Sequence, residues 1–130
     1  GVFMVMGDLP AARAAFERAL AIDEKVIGAD HPNVATLINN IGVVYQDMGD
    51  LPAARAAFER AIAIDEKSFG AEHPNVAGDI DNIGGVYEAL GDFPKARAHY
   101  QRALAIMERH APNNQATKTV RENLEGVSRG

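Results

Sequence analysis

The chain has 130 residues, which suits one ordinary domain, and its hydrophobic fraction of 47% excludes a disordered chain. The formal net charge of −5 argues against nucleic acid and anionic membranes as partners, because both bind basic surfaces. Cysteine is absent, which excludes disulfides, thiolate nucleophiles and cysteine-based zinc sites.

Residues 1–6 form an apolar run that does not start with methionine. The run lacks the basic leader of a signal peptide, and no stretch of the sequence reaches the roughly 18 apolar residues of a membrane span. We therefore predict a cytoplasmic protein. We interpret the chain as a fragment that begins within a truncated helix.

An internal repeat of 42 residues then organises the chain. The sequence Gly-Asp-Leu-Pro starts at Gly7 and at Gly49, and Gly-Asp-Phe-Pro starts at Gly91. Residues 7–48 and 49–90 agree at 31 of 42 positions, and the third unit keeps the pattern as far as His110. We predict one repeat domain over residues 1–130, with a partial repeat at 1–6 and units that start at 7, 49 and 91.

Each unit predicts two helices. The first covers residues 32–48, where Pro32 suits a first helical turn, apolar residues recur at helical spacing, and Gly49 ends the pattern. The second covers residues 51–67 and begins at Asp50, whose carboxylate can cap the free N–H groups. The pattern returns from Pro74 and from Phe93, which predicts about seven helical segments with a last, partial first helix at residues 116–127. We expect a disordered tail over residues 128–130.

Short turns make the paired helices antiparallel neighbours, and stacked pairs bury a continuous core. The unit also resembles the tetratricopeptide repeat (TPR), because its signature residues fall at that family's spacing: Ile41, Gly42, Tyr45, Gly49, Ala54, Phe58 and Ala61. The period of 42 in place of the common 34 or so is similar to the kinesin-light-chain subtype. The resemblance implies an all-α fold, a right-handed α-solenoid of stacked antiparallel helix pairs, in which Gly42 and Ala54 mark the closest helix contacts.

The two near-identical copies differ mainly along one stripe of the first helix. Seven differences fall there, whereas the second helix changes only at Leu20 and Ile62 between its cap and Lys67. On a helical wheel most of the seven lie within an arc of about 100°. In the TPR family this stripe lines the concave groove. The predicted binding residues are Thr36, Asn39, Asn40, Val43, Gln46, Asp47, Gly78, Asp81, Asn82, Gly85, Glu88 and Ala89.

The composition of the stripe indicates the kind of partner. Its residues are small or acidic in the second copy, which favours a basic or polar protein or peptide. The stripe lacks the cations with which some TPR proteins clamp a carboxylate. Neutral drift of a solvent face is the alternative explanation. Asn40, Asn82 and a third counterpart, Asn123, border the stripe and could bond either to a partner or to the neighbouring repeat.

Candidate catalytic groups are few. His31 and His73 precede prolines one repeat apart, and we interpret them as helix-start residues and not as zinc ligands. We interpret the acidic pairs at Asp23 and Asp65 as solvated helix ends, because adjacent helix residues point in different directions. No phosphate loop or catalytic triad motif occurs. We therefore predict no enzymatic activity, no metal and no cofactor.

The sequence thus predicts a protein–protein interaction module. One alternative is a structural array that self-assembles, since the truncated first helix could pack against a second copy. Another is the sensor arm of a larger signalling NTPase, a context in which this repeat subtype occurs.

Overall fold

The computed structural model describes residues 9–129, and this part of the chain consists of six α-helices without a β-strand. The predicted all-α class is confirmed. The truncated helix predicted at residues 1–6 lies outside the described residues. The helices are α1 (Leu9–Ile27), α2 (Pro32–Asp47), α3 (Leu51–Phe69), α4 (Pro74–Ala89), α5 (Phe93–His110) and α6 (Gln115–Arg129).

The observed bounds agree with the predicted ones to within two residues. Ser128 and Arg129 belong to α6, so the prediction of a disordered tail from residue 128 was wrong for these two residues. The reason is Val127, which is 1% exposed and belongs to the apolar cluster of α5 and α6. Burial of this side chain holds the last turn of α6 in place.

The helix starts use the residues that the sequence pattern indicates. The Nδ1 atoms of His31 and His73 accept hydrogen bonds from the N–H groups of Asn33 and Asn75, both at 3.0 Å. This confirms the histidines as helix-start residues. Asp50 caps α3 in the same way, since its Oδ1 accepts from the backbone N–H of Ala53 at 3.2 Å.

Glycine ends the first helix of each complete pair. Gly49 has a φ of +83° and Gly91 a φ of +79°, a left-handed conformation that glycine adopts without steric cost. In the first of these turns the Asp50 N–H donates to the Tyr45 carbonyl at 2.9 Å. The turn therefore reverses the chain within a few residues, as the repeat pattern predicts.

The chain forms two compact units, one up to Ile64 and one from Asp65 onward. In the first unit, the apolar face of α2 packs against α3 in a cluster of Val34, Ala35, Ile38, Ala61 and Ile64, with Leu20 of α1 beside it. Gly42 lies directly under the Phe58 ring, because a Cβ atom on Gly42 would come within 2.6 Å of Phe58 Cε1. The predicted close helix contact at Gly42 is confirmed.

In the second unit, α5 packs on both α4 and α6. The cluster of α5 and α6 contains Ala96, Tyr100 and Val127, with Tyr87 and Leu124 against it. Gly84 repeats the arrangement of Gly42, since a Cβ atom there would lie 2.7 Å from Tyr100 Cε1. Each unit thus places a glycine of its first helix under an aromatic ring of its second helix.

Candidate recognition surface

The predicted binding residues of α2, here called the α2 stripe, are accessible. Four are exposed and two are half-buried, and the buried residues of the helix are different ones: Val34, Ala35, Ile38, Ile41, Gly42 and Val44. The α2 stripe comprises Thr36, Asn39, Asn40, Val43, Gln46 and Asp47. Its role in binding stays a prediction.

The corresponding residues of α4, here called the α4 stripe, are also accessible. Gly78, Glu88 and Ala89 are exposed, and Asp81, Asn82 and Gly85 are half-buried. A Cβ atom on Gly78 would meet nothing within 4 Å, so the backbone at this point can be approached closely. The α4 stripe thus combines small residues with two carboxylates.

Asp81 connects the α4 stripe to α6. The Asn123 amide nitrogen donates to Asp81 Oδ1 at 3.2 Å. Partial burial raises the pKa of Asp81, while the hydrogen bond from Asn123 acts in the opposite direction. Of the two roles considered for Asn123, the bond to the neighbouring repeat is the one observed.

Glu88 lies on the α4 stripe and also bonds to a core residue. Its Oε1 accepts a hydrogen bond of 2.8 Å from the Tyr100 hydroxyl. Burial, followed by this bond and the Glu88 charge, raises the pKa of Tyr100, so the phenol remains a donor at neutral pH. Glu88 therefore fixes a core ring as well as presenting negative charge.

Asp65 corrects one interpretation of the sequence. It is 7% exposed, not solvated, and it faces Asp79 of α4, which is 6% exposed. Burial, followed by the hydrogen bond and the charge of Asp65, raises the pKa of Asp79 from 3.8 to about 9. Two buried carboxyl groups joined by a hydrogen bond share a proton, because both cannot be charged in a medium of low polarity. Their burial closes them to a substrate, so this pair is structural.

Only one feature of the sequence points to this pair. Asp79 takes the place of Leu37 in the preceding copy, at a position where a helix face turns inward. A carboxylate in place of an apolar residue was visible as one of the seven differences, but its partner on α3 was not. Among residues 9–129, no group of three or more histidine, aspartate and glutamate side chains could hold a metal ion.

The sequence of the chain also matches a known family. A family model described as "Tetratricopeptide repeat" matches residues 1–67 and again residues 34–109. The chain belongs to the tetratricopeptide repeat family. Its TPR units repeat every 42 residues. No curated protein matches the TPR chain.

Solved structures agree with the TPR fold. The crystal structure of BtubC (BKLC) from P. vanneervenii is 24% identical, with a TM-score of 0.87 over 95% of this chain and 50% of that one. The nearly identical TPR-like repeats of a kinesin-light-chain candidate from Podosopora anserina are 21% identical, with a TM-score of 0.85 over 96% of this chain and 60% of that one. This TPR chain therefore spans 50% to 60% of the length of these two proteins. Among the TPR helices that the structure describes, none is both long and apolar enough to cross a membrane.

Proposed function

We propose that this TPR protein binds peptides or extended segments of partner proteins, on the α2 stripe in the first unit and on the α4 stripe in the second. TPR repeats in general serve as scaffolds for protein interactions. The fold alone does not select the binding surface, whereas the residues of the two stripes can.

The observation that carries the proposal is the uneven distribution of differences between the two copies. Glu17, Arg18 and Ala21 of α1 are exposed, as are Glu59, Arg60 and Ala63 of α3, and the residue types are identical in the two copies. The exposed differences between α1 and α3 are confined to their last two positions, Val26 against Ser68 and Ile27 against Phe69. Of the seven positions in the first helix that differ between the copies, six are accessible in both copies. Neutral drift would alter both kinds of exposed surface alike, whereas diversification for recognition would alter one.

The charge of the stripes indicates the partner. Asp47 and Glu88 are exposed carboxylates, and Asp81 is a partly buried one. A cation that reaches Asp81 loses little of the interaction to solvent screening, because the local dielectric constant is below that of water. The small residues Gly78 and Ala89 leave room for a backbone. A basic, extended segment therefore fits this surface best.

Selection from a random peptide library tests the proposal. The immobilised chain should enrich peptides rich in lysine and arginine and deplete peptides rich in aspartate and glutamate. A variant with Val43→Arg and Glu88→Arg adds cations and bulk to both stripes, so it should lose the selected peptides. The measurement is the affinity of each selected peptide for both proteins by fluorescence anisotropy.

A matched control distinguishes an effect at the stripes from an effect of net charge. Glu59→Arg together with Ala63→Arg changes the net charge by the same amount on exposed positions of α3, and it should bind the selected peptides like wild type. If both variants lose affinity for the selected peptides equally, overall charge accounts for the selection. Equal retention in both would reject the stripes as the binding surface.

Self-association is a second candidate function, and one feature of α1 favours it. Ile22 is 61% and Val26 73% exposed, one turn apart on the same face of the helix. Apolar side chains grouped in this way are typical of contact surfaces. We expect the sedimentation coefficient to rise with concentration in the absence of any partner, and Ile22→Lys with Val26→Lys to abolish the rise. Ala21→Lys, on an exposed neighbouring position, is the control that should leave it unchanged; a mass that stays monomeric at every concentration contradicts self-association.

A further inference from the structure

A surface cavity lies in the first unit, on a different face of α2 from the α2 stripe. Its volume is about 340 Å³, which is in the range of small-molecule and side-chain pockets. The floor is apolar, and the polar groups are the Tyr45 side chain and two charged residues. The lining residues are Glu17, Leu20, Ile38, Ile41, Tyr45, Ala53, Ala56, Ala57 and Arg60.

The second copy indicates which chemistry fits beside this tyrosine. Tyr87 corresponds to Tyr45 and is covered by side chains of α5: the His99 ring lies 5.0 Å from the Tyr87 ring, and Lys95 Nζ lies 5.5 Å from its centroid. The corresponding residues of α3 are Ala57 and Ala53. Alanine ends at Cβ and cannot cover the ring, so Tyr45 borders a cavity where Tyr87 meets a planar group and a cation.

The rim of the cavity carries one carboxylate suited to a cation. Glu17 Oε2 accepts a hydrogen bond of 2.8 Å from the Tyr45 hydroxyl, which fixes the carboxylate at the edge of the ring. Arg13 lies 3.9 Å from the other oxygen of Glu17, in an exposed pair of the kind that contributes little. Arg60 on the opposite rim is engaged by Glu24 at 2.9 Å. Glu17 is therefore the rim charge with the weaker partner.

We propose that this cavity receives an arginine side chain of a partner protein, whose guanidinium stacks on the Tyr45 ring and pairs with Glu17. Arginine unites the two roles that His99 and Lys95 divide beside Tyr87 in the second unit, because its guanidinium is planar and always charged. Its methylene stem covers the apolar wall at Ala53 and Ala57. The site uses no residue of the two stripes, so it does not depend on the function proposed for them.

The test uses N-acetyl-arginine amide as the probe for the side chain. In a titration followed by NMR, the methyl signals of Ala53 and Ala57 and the ring signals of Tyr45 should shift and saturate together. N-acetyl-citrulline amide, which has nearly the same shape without the charge, should bind several-fold more weakly. Stronger binding of N-acetyl-phenylalanine amide than of the arginine probe would overturn the choice of arginine.

Two variants with matched controls locate the site. Ala53→Lys with Ala57→His installs the residues that cover Tyr87, fills the cavity and should abolish saturable binding. Ala63→Lys with Ala21→His, on exposed positions outside the cavity, should not. Glu17→Gln keeps an acceptor for the Tyr45 hydroxyl and should weaken binding about two- to fivefold. Glu59→Gln, the same change in the other copy, should have no effect. Unchanged arginine binding in the filled variant, or in Glu17→Gln, would overturn the proposal; Glu17→Gln decides it even if the filled variant fails to fold.

Discussion

Replacing Asp79 with asparagine should stabilise the second unit strongly at neutral pH. Asp79 is buried against Asp65, and its pKa of about 9 means that the folded protein holds a proton that the unfolded chain releases. An asparagine amide donates to Asp65 without taking up a proton. We expect the free energy of unfolding to rise by on the order of 2–4 kcal/mol at pH 7.

The pH dependence of the wild-type protein has a defined sign. The pKa of Asp79 is raised in the folded state, so between about pH 4 and pH 9 the folded state binds more protons than the unfolded state. Stability contributed by this group is therefore fully present below about pH 4 and is lost progressively as pH rises to about 9, at up to about 1.4 kcal/mol per pH unit. Urea denaturation at several pH values across this range, with amide hydrogen exchange of α4, measures the slope.

The asparagine variant should lack this slope and should differ little from wild type near pH 4. Asp23→Asn is the matched control, because Asp23 corresponds to Asp65 and is half-buried in a copy that has Leu37 in place of Asp79. It should leave both the stability of the second unit and its pH slope unchanged. A wild-type protein whose second unit is equally stable at pH 5 and pH 8 would contradict the shared proton.

The sequence predicted those features of the fold that depend on local chemistry. Pro32, Gly49 and Asp50 fix helix starts, turns and caps through backbone geometry and short-range hydrogen bonds. The repeat then supplied the tertiary arrangement, since Gly42 under Phe58 recurs as Gly84 under Tyr100. The accessible faces of α2 and α4 follow from helical periodicity alone, so the sequence predicts which residues form the stripes.

Outside the TPR signature positions, contacts between particular residues of different helices could not be predicted. Asp65 looked solvated, because nothing in its own helix indicates that Asp79 lies opposite. The cavity beside Tyr45 exists because the side chains of Ala53 and Ala57 are small. The third repeat, which has Lys95 and His99 at these positions, differs too much in sequence from the first two to suggest the comparison. Side-chain pairs and cavities depend on how helices pack against one another, and the order of residues along one helix does not specify that packing.

Two glycines of the same helix, α4, should respond to alanine with opposite signs. A Cβ atom on Gly84 would lie 2.7 Å from Cε1 and 2.9 Å from Cδ1 of Tyr100. The ring cannot move aside freely, because it is buried and its hydroxyl donates to Glu88. Overpacking costs roughly 1–3 kcal/mol against a gain in helix propensity of about 1 kcal/mol, so Gly84→Ala should destabilise the second unit by up to about 2 kcal/mol.

Gly78→Ala should stabilise the same unit by up to about 1 kcal/mol, because Gly78 is exposed and its Cβ would meet nothing within 4 Å. Urea denaturation at one pH measures both variants. Shortening the ring with Tyr100→Leu should remove most of the penalty of Gly84→Ala, and the double-mutant cycle should give a coupling energy of about 1 kcal/mol or more. If both alanines stabilise the unit equally, the ring does not require glycine at position 84, and the close contact of α4 with α5 is not what determines that residue.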